Sequence, residues 1–176
     1  MRKVLHLLGA LSDEDVEWLS MTGRTRLVPR GAVVIREGEP LDSLFILLEG
    51  KLSVRTAGLG EREVAELYPG EVLGEISFVD ARPPSASVVA DRDCHLFAVS
   101  RESLTKRLTR DDGFAARFYR AVATFLADRL RTTTAHLGYG TWTEKDGGDE
   151  VDEGALDDIS LAARRFDGML KQLRVN

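Results

Sequence analysis

Gly74-Glu75-Ile76-Ser77 and Arg82-Pro83-Pro84-Ser85-Ala86 are the segments whose residue types and spacing could hold a small ligand. A glycine ahead of a short helical turn lets the backbone approach closely, and N–H groups at the start of such a turn attract an anion. The Glu75 carboxylate can accept from hydroxyls, while Arg82 and the Ser85 hydroxyl add donors. This is binding chemistry. No nucleophile, base and orienting group fall together, so the chain is not expected to be an enzyme. Cys94-His95 is the nearest approach to such a pair. Neighbours on a strand face opposite sides, so it reads as a buried thiol beside an exposed imidazole. Arg101, Lys106, Arg107 and Arg110 read as a solvated basic face. Three scattered histidines (His6, His95, His136) and one cysteine supply neither a disulfide nor a structural zinc site.

The composition narrows the class. With 24 Lys+Arg against 29 Asp+Glu, the net charge of -5 argues against wholesale nucleic-acid binding. The apolar runs are much shorter than the roughly 20 residues of a membrane span. At 176 residues, one core can bury enough surface to be stable without covalent or metal staples. The opening Met1-Arg-Lys-Val-Leu-His-Leu-Leu-Gly-Ala-Leu11 runs directly into acid without a small-x-small cleavage site. It reads as a buried first helix, and the protein is expected in the cytoplasm.

The elements that would position the binding segments follow from local patterning. Ser12 with Asp13, Glu14 and Asp15 is an N-cap with acid in the first turn of a short helix ending near Gly23. From about residue 24 to 99, short apolar runs such as Leu44-Phe45-Ile46-Leu47-Leu48 alternate with Gly, Pro and Asp turns, which predicts a compact all-β sandwich or barrel. Ser100 opens a helix carrying Leu104 and Leu108. A longer one follows over about 114–137, with Phe118, Val122, Phe125, Leu126 and Leu130 at helical spacing. Its apolar stripe is wider than a small β domain would cover, which leaves part of it for a second subunit. Residues 138–154 read as an acidic Gly-rich linker, and 155–176 as an amphipathic C-terminal helix that must dock somewhere.

The stretch from Gly31 to Val54, Gly31-Ala-Val-Val-Ile-Arg-Glu-Gly38-Glu-Pro-Leu-Asp42-Ser-Leu-Phe45-Ile-Leu-Leu-Glu-Gly50-Lys-Leu-Ser-Val54, resembles the hallmark of cyclic nucleotide-binding domains of the catabolite-activator and kinase-regulatory-subunit type. The resemblance covers about residues 5–137. It implies a mainly β fold with flanking helices, a double-stranded β-helix of jelly-roll type, with the three glycines at tight turns. It also implies that Pro69-Gly70 precedes a phosphate-binding cassette. Gly74 would then permit close approach, Glu75 would take a ribose 2′-hydroxyl, and the Ile76, Ser77, Ser85 and Ala86 N–H groups with the Ser85 hydroxyl would surround the phosphate. The Arg that the family pairs with phosphate falls here on Pro84, leaving Arg82 as the nearby cation. The stretch Arg129-Leu-Arg-Thr-Thr-Thr134 resembles the part of the family that touches the base, which implicates Thr133 and Thr134.

The resemblance thus implies a non-catalytic regulatory module that binds a cyclic nucleotide, cAMP ahead of cGMP, with no prosthetic group or metal. It would signal through its C-terminal helices, as a homodimer through the long helix and with an unknown protein partner for the tail. Direct DNA binding and membrane association are not expected. The alternative is a degenerate domain that has lost its nucleotide and serves as an interaction or oligomerisation module.

Overall fold

The structure, a computed structural model, describes residues 3–59, 62–136, 160–168 and 171. Two short helices, α1 (Lys3–Ala10) and α2 (Asp13–Thr22), precede the strands. Ser12 caps α2 in a closed capping box: its Oγ accepts from the Asp15 N–H, and the Asp15 carboxylate accepts from the Ser12 N–H.

Eight strands follow: β1 (Arg24–Val28), β2 (Val33–Ile35), β3 (Ser43–Glu49), β4 (Leu52–Thr56), β5 (Arg62–Leu67), β6 (Val72–Leu73), β7 (Ser87–Ala90) and β8 (Cys94–Ser100). Among the described residues they make two four-stranded antiparallel sheets, β1-β8-β3-β6 and β2-β7-β4-β5. One helix, α3 (Glu75–Asp80), interrupts them between β6 and β7. Two more, α4 (Arg101–Arg110) and α5 (Asp112–His136), complete the domain. The sheets and flanking helices are the jelly-roll-like architecture that the family resemblance implies. Gly31, Gly38 and Gly50 all have positive φ. The linker expected over 138–154 lies outside the described residues. Of the tail, 160–168 and 171 are helical.

β3 reads as an unbroken apolar run because both of its faces are covered. Phe45 and Leu47 point between the sheets with Leu52, Leu73, Val88 and Leu96. Leu44, Ile46 and Leu48 point the other way, with Phe97 and Val99 of β8, into a second core built with the helices. That second core contains the α1 face Val4, Leu7, Leu8 and Leu11 and the α5 face Phe114, Phe118, Val122 and Phe125. Gly23 is the C-cap of α2, and the position is kept for glycine because a Cβ there would stand 2.0 Å from Cζ of the fully buried Phe97 ring. The helical layer is therefore pressed directly onto the sheet that carries β6 and leads into α3.

The expected solvated basic face is corrected at two positions. Arg107 lies within 5.2 Å of both the Trp18 and Phe114 rings and pairs with Asp15 at 3.4 Å and Asp111 at 3.0 Å. Arg101 donates to the Ser77 and Phe78 carbonyls at 2.9 and 3.3 Å, tying α4 to the end of α3. Both guanidiniums lie where orphan carbonyls, carboxylates and ring faces converge from other elements, a coincidence that only packing creates. Among the described residues no helix is long and apolar enough to cross a membrane.

Candidate functional site

β6 ends at Leu73, and the chain turns through Gly74 (φ 86°) into α3. The left-handed φ favours glycine at 74, and a Cβ there would lie 2.5 Å from Leu41 Cδ2 and 3.2 Å from the Ser43 carbonyl oxygen, so the space is tight as well. This turn places Glu75 at the first position of α3. After α3, Ala81 adopts φ 57°, and the Arg82 N–H donates to Asp80 Oδ1 at 3.0 Å. Pro83-Pro84 then carry the chain back to Ser85 and β7. The Pro84 carbonyl accepts from the Gly38 N–H at 2.9 Å, which pins the proline segment to a tight turn before β3.

Between α3, this return segment and the inner face of the β4–β5 sheet lies a cavity of about 450 Å³. That is within the range of small-molecule sites. Gly74, Glu75, Ile76, Ser77, Arg82, Ser85 and Ala86 all line it, together with Pro84. Its floor is apolar, formed by Ile35, Val54, Leu67, Leu73 and Val88. A few polar groups, Glu75, Asp80, Arg82, Ser85 and Arg129 among them, therefore converge over an apolar bed, the usual build of a small-molecule site.

Glu75 is 3% exposed. Its charge is met by Arg129 of α5, whose Nη1 donates to Glu75 Oε1 at 2.7 Å, and Arg129 lines the same cavity. Arg129 opens the 129–134 stretch that resembles the family's base-contacting part, but within that stretch the resemblance points to Thr133 and Thr134 and not to Arg129. Its only local signal is a basic residue at the edge of an apolar helical face. The Phe78 ring of α3 meets Phe118 of α5 edge-on at 5.7 Å, so α5 holds α3 by one apolar and one ionic contact.

Among the described residues, Thr134 does not line the cavity. The Thr134 hydroxyl donates to the Leu130 and Arg131 carbonyls of its own helix at 3.0 and 2.9 Å. The Thr133 side chain lies outside the described residues. Cys94 is fully buried and its Sγ contacts the Lys51 and Arg92 carbonyls, while His95 faces outward against Glu49. Burial pushes the Cys94 thiol up from its ordinary value, the opposite of what a nucleophile requires.

The family model for the cyclic nucleotide-binding domain matches residues 25–111. The chain is 33% identical over 133 residues to the Cyclic AMP receptor protein of Thermus thermophilus, covering 74% of this chain and 60% of that relative's length. Among solved structures, the N-terminal domain of a transcriptional regulator from Streptomyces coelicolor is 31% identical with a TM-score of 0.60, over 75% of this chain and 95% of that one. A cyclic nucleotide-binding domain from Methylobacillus flagellatus shares the fold with a TM-score of 0.69 at 24% identity, over 81% and 85% of the two chains.

Proposed function

Because the chain belongs to the cyclic nucleotide-binding domain family, we propose that the cavity beside α3 is the receptor site of a regulatory module, with cAMP as its ligand ahead of cGMP. One observation carries this reading. Two segments of different sequence position, 74–77 and 82–86, close on one cavity with a buried carboxylate and a second arginine at its wall. In the proposed complex Glu75 accepts from the ribose 2′-hydroxyl. The N–H groups of Ile76, Ser77, Ser85 and Ala86 and the Ser85 hydroxyl surround the phosphate. Pro84 provides neither charge nor donor there, so the cations at the cavity wall that can balance the anion are Arg82 and, beyond its pair with Glu75, Arg129. A hydroxyl on Glu75 competes with Arg129 for the carboxylate and so alters how α5 is held. Transmission therefore runs through α5 and needs no chemical step.

Isothermal calorimetry with cAMP and cGMP tests this proposal, and a saturable heat with cAMP is the expected result. Pro84→Arg restores a cation beside the phosphate while its backbone carbonyl can still accept from Gly38. It should tighten cAMP binding by about tenfold to a hundredfold, the worth of one charge-assisted hydrogen bond. If both the native chain and Pro84→Arg are indifferent to both nucleotides, the degenerate interaction module becomes the better reading.

The homodimer expected through the long helix remains a proposal with its own support. Tyr119, Ala123 and Leu130 are exposed on α5, and Leu126 is half-buried between them. Their spacing alternates four and three residues, the period of a helix–helix seam. Sedimentation equilibrium should show a dimer that Leu130→Glu converts to monomer. A wild-type monomer at tens of micromolar on the order of interfacial affinities would remove this part of the proposal.

A further inference from the structure

The helical segment 160–168 does not lie loose on the surface. Ala162 is fully buried and Phe166 is 5% exposed, and both belong to the apolar cluster that contains Val4, Leu7, Leu8 and Leu11. Between them Arg165 spends its guanidinium on the corner where α1 gives way to α2. Its Nη1 donates to the carbonyls of Leu8 and Leu11 at 2.6 and 2.7 Å. Its Nε and Nη2 donate to Asp13 Oδ1 at 3.0 and 2.6 Å. Carbonyls at a helix C-terminus lack intrahelical partners and carry partial negative charge, so an arginine fork suits them. The Arg165 side chain is 12% exposed while Asp13 is 88% exposed, so the two helix-end carbonyls rather than the surface carboxylate hold the buried part of the fork.

The same corner is joined to the cavity by two routes. At the far end of α1, the Val4 N–H donates to the Gly70 carbonyl at 2.9 Å, just before the cavity-lining β6. From α3 a run of ring contacts passes through Phe78, Phe118 and Phe114 to Trp18 of α2, with centroids 5.5–5.8 Å apart. Arg165 therefore grips two helices that each lead back to the walls of the site.

We propose that the α1–α2 corner is a helix-docking site whose occupant is this chain's own segment 160–168, read through Ala162, Arg165 and Phe166, and that a ligand in the cavity loosens it. The second half rests on the function proposed above. A ligand hydroxyl competing for Glu75 weakens the Arg129 tether, α5 shifts against α1, and the corner no longer matches the Arg165 fork. Linkage then requires the reverse effect, so that removing the fork strengthens ligand binding by the same factor.

Amide hydrogen exchange on the full-length chain, with cAMP as the probe, tests both halves. Segment 160–168 should exchange at least about tenfold more slowly in the native chain than in Arg165→Ala, with β3 and β8 unchanged as the control for folding. Saturating cAMP should raise its exchange toward the variant's rate, and Arg165→Ala should bind cAMP more tightly by calorimetry. Equal exchange of the segment in both chains overturns the docking site. Protection that persists when calorimetry shows cAMP bound overturns the coupling and leaves the receptor reading standing. Absence of heat with cAMP and with cGMP, in the native chain and in Pro84→Arg, overturns the receptor reading together with the coupling, while the difference between the native chain and Arg165→Ala still decides the docking site.

Discussion

Replacing Asp15 with alanine is expected to lower the stability of the folded chain by about 3 kcal/mol, because it breaks a buried ion-pair network and half of a capping box. For a domain of this size the melting temperature should fall on the order of 6–12 °C. Asp15 is 1% exposed. It accepts from Arg117 Nε at 2.7 Å, from Arg117 Nη2 at 3.2 Å and from Arg107 Nη2 at 3.4 Å, as well as from the Ser12 N–H at 2.9 Å. One carboxylate thereby joins α2, α4 and α5. The loss sits at the low end of the range for broken buried pairs because both arginines retain some access to water.

The pH dependence of this contribution has a definite sign. Burial alone would raise the Asp15 pKa, but hydrogen bonds from Arg117 and Ser12 and the Arg117 charge outweigh it and hold the value below the ordinary 3.8. The group is depressed in the folded state, so its stabilisation is complete above the unfolded value near 4 and is lost as the pH falls through the folded value. Native Asp15 should therefore make the chain more acid-sensitive below about pH 4 than Asp15→Asn, whose stability lacks that term. Thermal melts between about pH 7 and 2.5 compare the two slopes. Parallel curves across that range would mean that Asp15 is not the carboxylate responsible.

Glu75→Ala is expected to weaken cAMP binding roughly a hundredfold, by removing the acceptor for the ribose hydroxyl in a buried site. From the sequence, this change should leave the melting temperature of the chain nearly unaltered. The Arg129 pair modifies that expectation: Glu75 is also a tether for α5, and its loss should cost about 1 kcal/mol. The cost stays modest because the Arg129 side chain is 37% exposed and can be solvated in place. Arg129→Ala removes the competitor for Glu75 together with a cation of the cavity wall, so it should weaken cAMP binding less than Glu75→Ala does, and the double variant should lose less than the sum, since both groups serve one ligand and each other. Additive losses would show that Arg129 acts apart from the carboxylate. A drop in melting temperature as large as that of Asp15→Ala would make Glu75 primarily structural.

Much of the domain was legible because its signals are local. Gly31, Gly38 and Gly50 punctuate the strands at turns with positive φ, and Ser12 and Ser100 cap helices through their own third neighbours. Alternation and helical spacing separated strands from helices, since each element's period depends on its own backbone geometry. The segments 74–77 and 82–86 were legible as binding material through the family resemblance, which their glycine, carboxylate and backbone donors fit.

What escaped the sequence are contacts between residues distant in the chain. Arg129 meets Glu75 across 54 positions, Arg107 and Arg117 meet Asp15 across 92 and 102, and Arg165 meets Leu8 across 157. Nothing in the neighbourhood of an arginine says whether its guanidinium will face water, a carboxylate or the end of another helix. The sequence by itself therefore determined the strands, the caps and the residue types of the site. Tertiary packing alone decided which of the basic residues became an α3 tether, a core ion pair or a tail clamp, because the partners of a long cationic side chain are set by which elements are pressed together around it.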